Sequence, residues 1–252
     1  MPHPEIIVFF LVIAFVYASV GFGGGSSYLA VLALYALPVP EMKLTALVCN
    51  VIVVTGGTYI FIRNKQVHWQ KIIPLALVSI PMAFFGAKIK LQVDTFFIIL
   101  GISLLAAAIL LWAQTRPGIN LSQTQQPNVV KDGVIGGSIG FLSGMVGIGG
   151  GIFLSPLLNL MKWDGPKQIA ATASIFILVN SVAGIAGQLS VPHPGINYTL
   201  LLLLCAAVLL GGQLGSRMGA LKFNPLVIRR LTAALVFFAG VEVLVKHLPW
   251  FK

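Results

Sequence analysis

Gly21-Phe22-Gly23-Gly24-Gly25 and Gly147-Ile148-Gly149-Gly150-Gly151 stand 126 positions apart in an otherwise apolar chain, and the fold turns on these two pentapeptides. The first lies inside an apolar stretch over 6–38, the second inside one over 133–161. Ahead of the first glycines, Ile6 to Val20 is about 15 residues, roughly 22 Å of helix; after them, Ser26 to Leu37 is about 12, roughly 18 Å. Neither piece alone crosses a hydrocarbon core of about 30 Å, and the two joined are too long for one simple span. Three adjacent glycines predict a break between them. Each stretch therefore reads as two half-helices, forming either a re-entrant hairpin or a broken helix.

The surroundings fix the class. Of 252 residues 58% are hydrophobic and 9% charged, against about 25% charged in a soluble domain. Mean hydropathy is +0.97. Six acidic and sixteen basic residues cannot coat a globule of this size, which excludes a cytosolic enzyme, a disordered chain and a soluble nucleic-acid binder. Eight apolar stretches (6–38, 42–62, 70–88, 94–114, 133–161, 168–190, 197–220 and 225–247) predict an all-α polytopic membrane protein. The net charge of +10 comes from bases clustered between these stretches, where they orient helices. Cys49 and Cys205 lie within apolar segments without a CxxC partner and read as reduced packing residues; no metal and no cofactor is expected. The N-terminus lacks the basic region of a signal peptide, so Ile6 onward is expected to remain as structure.

The chain is duplicated. With the shift of 126 that aligns the glycines, Pro40 falls on Pro166. One residue more puts Thr45-Ala46 on Thr172-Ala173 and Gly57 on Gly184, and a shift of 129 puts Gly86-Ala87-Lys88 on Gly215-Ser216-Arg217. Four landmarks in the same order define two repeats, 1–114 and 132–252, joined by a polar linker over 115–131 that carries Pro117 and Pro127. Basic residues indicate how the repeats face the membrane. If all eight stretches cross, Lys and Arg divide 7 to 9; if the first and fifth return to the side they entered, they divide 5 to 11. The loop over 63–71 holds Arg63, Lys65 and Lys71, while its counterpart over 191–195 has no Lys or Arg. Each half then crosses an odd number of times, the repeats are inverted, the basic side is cytoplasmic and both termini face out.

A backbone break at membrane depth is tolerated only where protein or a water-filled cavity satisfies its N–H and C=O groups. The second half-helices begin immediately after the glycines, and a helix N-terminus presents up to four free N–H groups and about half a positive charge. Two such ends, brought together by the repeat, would make an anion site without a buried lysine. The expected site comprises Gly23, Gly24, Gly25, Ser26 and Ser27 facing Gly149, Gly150, Gly151 and Ile152. Ser26 and Ser27 read either as N-caps or as hydroxyl donors to an oxyanion. The structural alternative for the glycines is close helix packing; no Lys-Ser/Thr follows, so neither stretch is a P-loop.

The two glycine pentapeptides, each followed by an apolar half-helix and then a proline, together with the Gly-Ala/Ser-Lys/Arg triplets at 86–88 and 215–217, resemble the duplicated signature of the TauE/SafE sulfite exporter family, from about Ile6 to about His247. The resemblance implies a multi-pass transporter of the cell (inner) membrane. It would move sulfite, sulfonates such as sulfoacetate, or related sulfur-containing anions, often outward, with lipid and a small anion as its partners and no nucleic acid.

Polar residues within the spans fill in the expected path. Thr45, Asn50, Thr55, Thr58 and Tyr59 in the first half, and Thr172, Ser174, Asn180, Ser181 and Gln188 in the second, should face a bundle interior. Asn50 and Asn180 either bond between helices or line the path. Thr45 and Thr172 share a repeat position, which favours a common role beside the turns. Lys88 and Arg217 also correspond, and either snorkels to the interface or holds the anion at a cavity mouth, Arg217 being the better oxyanion ligand. Lys90, Arg229 and Arg230 read as interfacial anchors. Among the acids only Glu242 lies in an apolar run, where Lys246 is one turn away for an i,i+4 pair. With no carboxylate mid-span, facilitated export or coupling to a cation through backbone carbonyls fits better than carboxylate-based proton coupling. The rival readings are a cation channel or carrier, which needs carboxylates or a carbonyl ring, and a non-transporting subunit of a larger membrane complex. An intramembrane enzyme is not expected, since HExxH and paired intramembrane aspartates are absent.

Overall fold

The computed structural model describes residues 4–19, 21–35, 37–113, 128–191, 195–219 and 225–247. Every regular element among them is a helix: α1 (Pro4–Ala18), α2 (Gly25–Leu34), α3 (Val39–Arg63), α4 (Trp69–Lys88), α5 (Val93–Ala113), α6 (Val129–Val146), α7 (Gly151–Leu160), α8 (Pro166–Leu189), α9 (Tyr198–Gly219) and α10 (Pro225–His247). Most of the expected linker, residues 114–127, lies outside the described residues, as do 192–194 and the side chain of Arg229. Six of the described helices, α3, α4, α5, α6, α8 and α9, are long and apolar enough to cross a membrane. The chain is thus all-α and polytopic.

The two long first segments are broken, and they are hairpins. Tyr35, at the end of α2, donates from its hydroxyl to Glu5 Oε2 in the first turn of α1 at 3.1 Å. Phe10 of α1 stacks on Tyr28 of α2, with centroids 4.6 Å apart. Both ends of the first pair therefore lie together, which settles the choice between a hairpin and a broken crossing. The second pair closes in the same way, for Trp163 just beyond α7 donates Nε1–H to Asp132 Oδ1 in the first turn of α6 at 2.8 Å. In α6 the helix starts on an Asn128 cap that accepts from Lys131 N at 3.0 Å. Its 18 residues would suffice for a span by length, but the chain turns back at Gly147.

Two contacts between loops orient the hairpins. His68 Nδ1, between α3 and α4, is 2.7 Å from Asp164 Oδ2, between α7 and α8. At the opposite end of α3, Glu41 Oε1 accepts from Asn197 N, between α8 and α9, at 3.1 Å. The α1–α2 hairpin thus opens at the Glu41 end of the bundle and the α6–α7 hairpin at the basic His68 end.

Packing repeats with the halves exchanged. The α4–α6 contact has its counterpart in α1–α9, α4–α8 in α3–α9, and α5–α7 in α2–α10, while α3–α8 and α5–α10 map onto themselves. Each hairpin therefore leans on a long helix of the other half. Glycine makes this possible. Along α6, Gly136, Gly140 and Gly144 lie against the Leu75, Ser79 and Ala83 carbonyls of α4, and a Cβ at Gly140 would stand 2.6 Å from Ser79 O. Along α9, Gly211 and Gly215 lie equally close to the Leu11 and Phe15 carbonyls of α1. Gly86 against Phe141 O and Gly215 against Phe15 O are the same contact in the two halves. In lipid, where apolar burial adds little between helices, such close backbone approach supplies much of the association.

A buried ionic cluster ties the basic end. Lys71 Nζ lies 3.2 Å from Asp164 Oδ2 and donates to Trp163 O at 2.9 Å, while Gly165 N donates to Asp164 Oδ1 at 2.8 Å. Burial pushes the Asp164 carboxyl up, but His68, Gly165 N–H and Lys71 together outweigh it and hold the group below the ordinary aspartate value. At the far end, Lys246 and Glu242 form the expected i,i+4 pair at 2.9 Å.

Candidate substrate site

The turns are built on left-handed glycines, two in the first and three in the second, where Gly149 (φ 84°) adds to the pair that matches the first. Gly21 (φ 83°) and Gly147 (φ 88°) end the first helices. Phe22 N donates to Tyr17 O at 2.9 Å and Ile148 N to Ser143 O at 3.2 Å, the six-to-one closure of a Schellman motif. Gly24 (φ 88°) and Gly150 (φ 83°) then begin the return helices. An L side chain at any of these four positions would be strained. The first intrahelical bonds come from Ser27 N and Tyr28 N to Gly24 O, and from Phe153 N and Leu154 N to Gly150 O. Among the described residues the N–H groups of Gly25, Ser26, Gly151 and Ile152 have no backbone acceptor.

Of the two readings of Ser26 and Ser27, the N-cap is corrected here. The cap position belongs to Gly24, which the turn requires in a left-handed conformation, so the serines fall inside the first turn. Both bond instead to Tyr17 of α1, whose hydroxyl lies 2.7 Å from Ser27 Oγ and 3.5 Å from Ser26 Oγ.

The two turns meet. Gly23, Gly24, Gly25 and Ser26 line one side of a small cavity, Ile148, Gly151 and Ile152 the other, with Tyr17 and Ile177 at its edges. A Cβ on Gly25 would stand 2.6 Å from Ile148 O. The cavity measures about 10 Å³, room for about one water. No charged side chain lines it, so its field comes from backbone dipoles.

Asn50, at the middle of α3, joins the turns. Its Nδ2–H donates to Ile148 O at 2.9 Å across the repeat boundary. Cβ atoms placed on Gly23 and Gly25 would fall 2.5 Å from Asn50 Oδ1 and Nδ2, and one on Gly149 would fall 2.7 Å from Nδ2. The Asn50 Oδ1 is buried without a partner among the described residues, and so are Ser181 Oγ beside Gly149, Tyr28 Oη beside Gly24, and Ser143 Oγ. An unpartnered buried polar group costs about 1–3 kcal/mol. Four such atoms lie around this one pair of turns.

The other expected residues are more dispersed. Thr45 is buried on α3. Thr172 Oγ1 donates to Gln168 O of its own helix at 2.8 Å. Asn180 Nδ2 donates to Ser79 Oγ of α4 at 3.0 Å and to Phe176 O at 2.8 Å. Arg217 is exposed in the last turn of α9 and does not line the cavity between the turns, whereas its repeat partner Lys88 lines a larger pocket at the Glu41 end. Tyr17, Tyr28 and Ser143 were missed from sequence. Tyr17 and Ser143 are related by the same shift of 126 as the glycines, and each precedes its turn by four residues, the signal that would have found them.

A membrane bundle whose two interrupted hairpins bring helix N-termini to one small cavity is an architecture that suits a membrane transporter. The profile of the sulfite exporter TauE/SafE family matches residues 6–243, and the chain belongs to that family. It is 30% identical over 237 residues to a probable membrane transporter protein of Sinorhizobium fredii, covering 93% of this chain and 95% of that protein. It is 22% identical to one of Methanocaldococcus jannaschii (72% and 70% covered) and 27% identical to one of Bacillus subtilis (66% and 67% covered). No solved structure matches. The protein is a multi-pass membrane transporter of the cell membrane.

Proposed function

We propose that this transporter carries sulfur-containing oxyanions, sulfite or sulfonates such as sulfoacetate, outward across the membrane, binding them between the two glycine turns. The observation that carries this reading is the convergence of the α2 and α7 N-termini on one cavity lined by glycine, where unclaimed N–H groups face a small solute and nothing bulky keeps it from the backbone. Ser26, Asn50 and Ser181 add uncharged polar groups. The carbonyl of Ile148, a residue that lines the cavity, is engaged by Asn50, which favours donors over the ring of free carbonyls a cation needs. Gly23, Gly24, Gly25, Ser26 and Ser27 on one side, and Gly149, Gly150, Gly151 and Ile152 on the other, form the first contacts; Thr45, Asn50, Thr172 and Asn180 line the approach, and Arg217 draws anions toward the bundle.

The repeats are inverted. In support, the two hairpins open at opposite ends of α3, and the basic loop over 63–71 shares its end with the α7–α8 loop. With the basic end cytoplasmic, the Glu41 end faces out. A cavity with room for one water is an occluded state, and access would alternate as one repeat moves against the other.

Counterflow of labelled sulfoacetate in proteoliposomes tests the reading. Asn50→Asp replaces the donor to Ile148 O with a negative charge facing the turns, and we expect flux to fall by about a hundredfold or more, since a like charge and a lost hydrogen bond each weigh above 1 kcal/mol. Unchanged flux through correctly inserted Asn50→Asp protein would refute the site. Wild-type protein that transports neither sulfite nor sulfonates would refute the substrate class.

A further inference from the structure

A second pocket, of about 290 Å³, opens at the Glu41 end, between the start of α3, the end of α4 and the end of α8. Lys43, Lys88 and Lys90 line it together with Gln188. Lys43 is only 3% exposed. Among the described residues none of the three lysines has a carboxylate partner. Glu41, two residues from Lys43, turns to Asn197 N instead. Three ammonium groups around one pocket repel each other, and an almost fully buried one is costly unless a counter-charge joins it. Gln188 is held in place by a bond from Nε2 to Ala87 O at 2.9 Å, and Lys88 Nζ lies 5.3 Å from the Phe84 ring.

The pocket is also in touch with the glycine turns. A Cβ at Gly147 would stand 3.1 Å from Lys43 Cα, Cβ and Cγ, so the backbone of the second turn runs directly along the Lys43 stem. Lys43 therefore both lines the pocket and packs against the turn.

We propose that this pocket is a second anion site, which takes a sulfate- or sulfonate-type oxyanion at the outer mouth of the path through charge-assisted hydrogen bonds from Lys43, Lys88 and Lys90. Its chemistry differs from that of the turns: ammonium groups supply the charge here, backbone dipoles there. Only its role as the exit mouth rests on the transport reading; its occupancy by an anion does not.

Equilibrium binding of labelled inorganic sulfate to the full chain in nanodiscs, at low ionic strength, tests it. Lys43→Gln, Lys88→Gln and Lys90→Gln should each weaken sulfate binding by about tenfold, the scale of one charge-assisted hydrogen bond. Lys88 is exposed, so Lys88→Gln decides the matter if Lys43→Gln does not fold. Asn50→Leu, which should stop sulfoacetate flux, should keep sulfate affinity within about twofold, because the two sites share no side chain at that position. Absence of sulfate binding by the wild type, indifference to Lys88→Gln and Lys90→Gln, or loss of all binding in Asn50→Leu would each overturn the second site. Sulfate binding that persists in a protein unable to move sulfonates would leave this site standing and refute the transport reading instead.

Discussion

At the scale of single residues, the glycines divide by what surrounds them. A Cβ at Gly25 would meet Asn50 Nδ2 at 2.5 Å and Ile148 O at 2.6 Å, neither of which can retreat without breaking the bond that joins the repeats. A Cβ at Gly57, within α3, would meet nothing nearer than Ser174 Oγ at 3.6 Å. Gly25→Ala is expected to abolish flux and lower stability by about 2 kcal/mol, the cost of overpacking a filled site. Gly57→Ala should leave flux intact and raise stability by about 0.5 kcal/mol through helix propensity alone. Thermal melts in detergent beside flux assays distinguish the two, and equal behaviour of both variants would remove the special role of Gly25. Much at this scale was legible in the sequence, because three glycines in a row inside an apolar run have few structural uses. The polar residues were less so. Asn50 and Asn180 looked alike as amides near mid-span, yet only Asn50 reaches a turn, while Asn180 binds Ser79 on a helix of the other half. Which way a helical side chain points depends on the neighbouring helix, and a single sequence does not specify that neighbour.

Among helices, the decisive contacts are glycine stripes. Gly136, Gly140 and Gly144 recur every fourth residue on α6 and bring its backbone against α4. Gly140→Leu would drive a branched side chain into Ser79 and its carbonyl, and we expect a loss of about 3 kcal/mol with a clear drop in melting temperature. Flux should fall with the amount of folded protein rather than through KM, and a melting temperature unchanged by Gly140→Leu would mean that the stripe does not hold the hairpin. In sequence these glycines carry the small-xxx-small spacing but no indication of their partner. The choice between a hairpin and a broken crossing was equally hidden in lengths and spacings. Half-helices of 15 and 10 residues fit both, and the answer lies in Tyr35–Glu5 and Trp163–Asp132, pairs separated by the whole hairpin.

Across the whole molecule, both orientation and the ionic cluster make predictions. In a background lacking Cys49 and Cys205, a cysteine in place of Lys65 should react with an impermeant maleimide only from the cytoplasm, and one in place of Gly195 only from outside. Gly195 has nothing within 4 Å of a Cβ, so the change there is harmless. Labelling of both from the same face would contradict inversion. The Asp164 cluster sets a pH dependence. Its carboxyl ionises more readily in the folded state, so its contribution is present above the ordinary aspartate value and is lost as pH falls through the lower folded value. At pH 7 Asp164→Asn should cost about 2 kcal/mol, the worth of hydrogen bonds to a buried charge. The gap in melting temperature between variant and wild type should close as pH drops below about 4. A gap constant from pH 7 to 3 would show that the cluster is held by packing alone.

The exchange of hairpins between halves also has a consequence for how the protein is made. The α1–α2 hairpin leaves the ribosome first, but the helix against which it packs, Tyr198–Gly219, is among the last to be synthesised. Until then its glycine turn has no mate and its backbone no shelter from lipid. Translation of the first half alone should therefore yield a chain in search of a second copy of itself, and insertion of the first hairpin should be completed only after most of the polypeptide has entered the bilayer.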